Sequence, residues 1–183
     1  MIETASSVLT PWSNFYIMIG SAAAGLTGLM FVVITLLMGT ERLQKSEDGI
    51  STFSTPTVVH FGAALLVSAI LSAPWQWLLH PAVLLGLLGI GGSAYLVRII
   101  YRTKRLTIYN PDAEDWAWFS LLPLVAYVAV LTGAIILPLV PAQALFVLAL
   151  GAISLVFIGI HNAWDIVTYI ALGSADKSPS SKK

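Results

Sequence analysis

Cysteine is absent from this chain of 183 residues. That excludes disulfides, thiolate catalysis and Cys-ligated metals, and leaves the redox compartment open. Charge is nearly as scarce, at 10% of residues against about 25% in an average soluble domain. A soluble fold of this size could not cover its surface with so few charges, so lipid must do much of the covering. The net charge is zero, which argues against nucleic acid as a partner. Two connections, Trp75 to Pro81 and Leu139 to Gln143, carry no basic residue. There is no HExxH or GxSxG sequence, and the glycines lie inside apolar runs rather than in a phosphate-binding loop after a strand. Nothing in the chain points to an enzyme.

Apolar residues are what the chain has, at 57%. They fall into five runs that predict an all-α polytopic bundle, with spans at about 11–39, 53–74, 81–100, 116–139 and 142–172. The spans consume nearly the whole length, so residues 1–172 read as one transmembrane domain. Residues 173–183, rich in Ser and Lys, read as a disordered cytoplasmic tail. Ser21 to Gly25 has the look of a signal-peptide cleavage site, but the first ten residues carry only Glu3 where a signal peptide needs positive charge. The first run is therefore read as a retained span.

The nine Lys and Arg residues group after the first, third and fifth runs: Arg42 and Lys45, then Arg98, Arg102, Lys104 and Arg105, then Lys177, Lys182 and Lys183. Basic loops stay on the cytoplasmic side during insertion, so the expected orientation is N-terminus out and C-terminus in. Trp75 and Trp77 form an aromatic belt at the outer turn, Trp116 and Trp118 one at the inner interface. In the loop between the third and fourth spans, Tyr109 to Asp112 signals a turn.

Two sets of residues are candidates for function. Gly20, Ala24 and Gly28 recur at a spacing of four in the first span, with Ser21 and Gly25 beside them. Lipid gives helices no hydrophobic reason to associate, so close contact between small residues supplies the packing energy. This face reads either as ordinary packing within one bundle or as a homo-oligomer contact. A second small stretch, Gly86, Gly89, Gly91, Gly92 and Ser93, is its expected docking partner.

The second set is ionisable: His60, Arg98, His161 and Asp165, all towards the cytoplasmic half of their spans. Such groups are expensive in hydrocarbon and commonly mark ion pathways or proton relays. His161 and Asp165 are one turn apart on the same helix face, with Thr168 continuing it, and Asp165 could equally pair with Arg98. The bland readings are a snorkelling Arg98, an interfacial turn at His161 and Asp165, and a hydrogen-bonded core His60. The sharper reading is a polar constriction. It would make the protein a homo-oligomeric channel or transporter-like pore for an ion or small solute. The rivals are a non-conducting adaptor of another membrane protein and a haem protein ligated by two intramembrane histidines. No cofactor is expected beyond that rival.

Residues Phe15 to Val32, with their aromatic lead and Gly/Ala-rich body, resemble the first span of small uncharacterised bacterial polytopic inner-membrane proteins. The resemblance implies a bacterial inner-membrane location and brings no site residues with it.

Overall fold

The computed structural model describes residues 5–38, 47–103 and 116–175, and every regular element among them is helical. Helix α1 (Ala5–Leu9) passes through a 3-10 turn (Thr10–Trp12) into α2 (Ser13–Met38). Then come α3 (Glu47–Ser72), α4 (Leu79–Thr103), a π-helical turn (Ala117–Leu121), α5 (Leu122–Ile136) and α6 (Pro141–Ala175). A chain this apolar has few side chains able to bond its own backbone, and lipid offers no water to do so. Helices satisfy every peptide group internally.

Four segments among the described residues are long and apolar enough to cross a membrane: Ala5–Thr35, Leu79–Tyr101, Ala117–Ile136 and Pro141–Asp165. The expected second span is a shorter apolar helix, Pro56–Ser72, about 25 Å of rise against a hydrocarbon core of about 30 Å. Pro56 lies within α3, where it removes one backbone donor. The other boundaries differ at their ends. The first helix begins before Pro11, and α6 runs on through 173–175, which the sequence assigns to the tail. The basic clusters other than Arg98 and Arg102, the Tyr109–Asp112 turn and the rest of the tail lie outside the described residues.

Local chemistry ends the helices where the sequence suggests. Pro74 cannot continue α3, and the Trp75 indole N–H donates back to the Ile70 carbonyl, one of the helix's last free acceptors. At the next turn the amides of Leu139 and Val140 donate to the Ile136 carbonyl at 3.0 and 2.9 Å. Pro141 then opens α6, at a position where a missing N–H costs nothing. These two short turns share one end of the bundle, here the turn end. Trp12, Phe15, Tyr16 and Phe146 gather there, with the rings of Trp12 and Phe146 edge to face at 4.7 Å. The Tyr16 hydroxyl donates to the Leu145 carbonyl at 3.2 Å, tying α2 to α6.

The helices pack in the order α2, α3, α6, α5, α4, with α6 central and α2 and α4 at the edges. Helices α3 and α4 are neighbours in sequence, yet touch far less than either touches its partner in this row. Glycine explains it. Gly89 and Gly92 let α4 lie directly on α5, where a Cβ at 89 would stand 2.8 Å from Leu131 and one at 92 would overlap the Tyr127 ring. Gly133 and Gly151 do the same between α5 and α6, and Gly159 seats the Phe61 ring of α3 on α6. Backbones this close gain dispersion contacts that lipid cannot supply. The small stretch of the third span thus docks α5, not the first span.

Candidate functional site

The small residues of α2 divide between two faces. Gly20 is buried, and a Cβ there would stand 2.9 Å from the Cβ of Ser68 on α3. It belongs to the inward stripe of Tyr16, Ala23 and Met30. Ser21, Ala24, Gly25 and Gly28 are exposed, and a Cβ at Gly25 or Gly28 would meet nothing within 4 Å. At 3.6 residues per turn, positions 20, 24 and 28 drift around the helix by about 40° each step, enough to carry 24 and 28 off the buried stripe. The α2 face thus holds one intramolecular contact and four small residues facing outward.

The ionisable set divides as well. Arg98 is exposed, because Gly89, Gly92 and Leu96 turn the other side of α4 to the bundle. His161 and Asp165 do meet, with Nδ1 and Oδ2 3.1 Å apart and the side chains 29% and 43% exposed. Nδ1 lacks hydrogen-bonding geometry, so this is a charge contact rather than an aligned bond. The imidazole also stacks flat on the Trp118 indole, centroids 3.8 Å apart and planes within 4°. Trp118 sits in the π-helical turn that starts α5, and such turns re-aim side chains out of the regular 3.6 period. The Thr168 hydroxyl donates to the carbonyls of Trp164 and Asp165 instead of extending the polar stripe. His161 lies twenty residues into α6, about 30 Å from Pro141, a distance equal to the thickness of a hydrocarbon core.

His60 lies deeper and in different company. It is completely buried, and its Nδ1 is 3.1 Å from the Tyr127 hydroxyl of α5, while its Nε2 has no partner. Tyr127 is buried too, its ring pressed over Gly92 of α4. Asn162 on α6 is likewise wholly buried, and both its amide nitrogen and its amide oxygen lack partners. Thr57, one turn before His60, is also buried.

Helix geometry places these groups together. Asn162 follows Gly159, which packs on α3, by three residues, and Gly151, which packs on α5, by eleven. Both intervals return to nearly the same helix face, so Asn162 faces the seam between α3 and α5. Gly159 is level with Phe61, and α3 and α6 run antiparallel. His60 and Asn162 therefore differ in height by only about 3 Å. The seam of α3, α5 and α6 thus contains an imidazole, a phenol and a carboxamide. Three of their polar atoms have no protein partner, each a cost of about 1–3 kcal/mol if left unmet.

Sequence reading misses Tyr127 and Asn162. The available signals are a tyrosine far from either aromatic belt and a carboxamide inside an apolar span, the residue types that hydrogen-bond between membrane helices. Among the described residues, no group of three His, Asp or Glu side chains could hold a metal ion.

Compared with protein-family models, with curated proteins and with solved structures, the chain has no match. What the fold supports is the class: a helical bundle whose long apolar helices are compatible with an integral membrane protein.

Proposed function

We propose that this is a five-span inner-membrane protein of bacterial type, N-terminus out and C-terminus in, that conducts an ion or small solute. The observation that carries this reading is the buried polar seam. Unpartnered imidazole and carboxamide groups buried between membrane helices are costly, and function is the usual reason to keep them. His161 directly precedes Asn162, stays 29% exposed beside Asp165 and stacks on Trp118, so we read these three as the rim of the seam. In the orientation that the basic clusters predict, that rim faces the cytoplasm. Small bundles gain stability by forming rings or pairs, and the outward Ser21, Ala24, Gly25 and Gly28 give α2 a surface for a second copy.

The purified protein, reconstituted into liposomes, is expected to pass at least one of a panel of ions and small neutral solutes faster than empty liposomes. Flux equal to empty liposomes across the whole panel refutes conduction. The open face of α2 also favours one other reading, an adaptor that docks another membrane protein there. In that case a partner co-purifies, and Gly25→Leu or Gly28→Leu releases it without any flux being present.

A further inference from the structure

We infer that the solute is a small uncharged molecule bearing both a hydrogen-bond donor and an acceptor, for which an amide such as urea is the model. This rests on the conduction reading and narrows it. The polar side chains buried among the described residues are Thr57, His60, Ser68 and Asn162, and none is Asp, Glu, Lys or Arg. The charged side chains whose surroundings are described, Arg98 and Asp165, are exposed on α4 and held by His161 at the rim. An ion entering the seam would leave its water without meeting a fixed counter-charge, and that desolvation is prohibitive in a low-dielectric interior.

A neutral amide meets the opposite situation. The free Nδ2 of Asn162 can donate and its free Oδ1 can accept. A primary carboxamide thus offers a donor and an acceptor on adjacent atoms, the arrangement that urea or acetamide answers with two parallel hydrogen bonds. The unpartnered Nε2 of His60, at nearly the same height in the seam, supplies a further polar atom. Its Nδ1 is already held by Tyr127, which fixes the ring so that Nε2 points away from that bond.

The test is solute flux into proteoliposomes, with urea as the neutral probe and rubidium and chloride as ionic ones. Urea is expected to enter faster than through empty liposomes, with both ions at the empty-liposome rate. Asn162→Leu keeps the side chain's size, removes both orphaned atoms and is expected to fold, as a thermal melt in detergent will show. Its urea flux is expected to fall about tenfold, the effect of one net hydrogen bond, with Asn162→Gln restoring part of it. Ion flux without urea flux overturns the inference and leaves conduction standing. Urea flux unchanged in a folded Asn162→Leu variant also overturns it, since the amide would then be structural. No flux of any probe removes the conduction reading and the inference with it.

Discussion

Gly92→Leu is expected to destabilise the bundle by about 2–6 kcal/mol, whereas Gly25→Leu leaves it intact. A side chain at 92 must enter the space of the Tyr127 ring, which is fully buried and has nowhere to retreat. Overpacking a tight contact costs about 1–3 kcal/mol. Displacing Tyr127 also takes its hydroxyl from His60, leaving a second imidazole nitrogen unmet, at about another 1–3 kcal/mol. Those losses are a large part of the 5–15 kcal/mol that separates a typical folded domain from its unfolded state. Gly25 borders open space, so a leucine there changes the isolated subunit by about 0.5 kcal/mol or less. Its effect falls on association instead. Chemical unfolding in detergent, alongside size measurement of the assembly, separates the two outcomes. Equal destabilisation by both substitutions would mean that α4 does not lie on α5 through Gly92.

Tyr127→Ala and Tyr127→Phe are expected to differ in a defined order. The alanine variant loses a large ring in contact with α3 and α4, and cavities of that size cost about 3–5 kcal/mol. The phenylalanine variant keeps the ring over Gly92 and removes only the oxygen 3.1 Å from His60. It should cost about 1–3 kcal/mol, the penalty for a buried imidazole nitrogen without a partner. His60→Leu should erase most of that second cost, because removing both polar partners is far less harmful than removing one. A double-mutant cycle of Tyr127→Phe with His60→Leu measures the coupling directly. A coupling energy near zero would show that the two rings are neighbours without a bond.

The class of the molecule is legible in the sequence because it depends on composition and run length, which are one-dimensional. The long apolar helices fall where hydropathy places them, and the two prolines at 74 and 141 mark real helix limits. Partner choice is not legible in the same way. The spacing of Gly20, Ala24 and Gly28 looks like one surface, but only the neighbour's position decides which of the three is covered. Ser68 covers the first and nothing covers the last. Likewise, the glycines of α4 announce close packing without saying that α5, rather than α2, provides it.

The polar site shows the same limit more sharply. Charge and titratability draw attention to Arg98 and Asp165, yet these are the groups that helix rotation turns outward or towards the rim. The groups that the fold buries together, Tyr127 and Asn162 with His60, come from three helices and include none of the formal charges. Sequence locates polar residues along each span. It does not fix the helix rotation that determines whether two of them meet.

The account's central claim is that the seam of α3, α5 and α6 is reached by water from the side of the C-terminus. The chain contains no cysteine, so single-cysteine variants need no prior background substitutions. Asn162→Cys and Leu148→Cys can be treated in sealed, inside-out vesicles with a small water-soluble thiol reagent. Both positions are fully buried in the folded bundle and share one face of α6, but Leu148 lies fourteen residues, about 21 Å, away from the polar groups. The account predicts that Asn162→Cys is labelled and Leu148→Cys is not. Equal resistance of the two positions to labelling would contradict it.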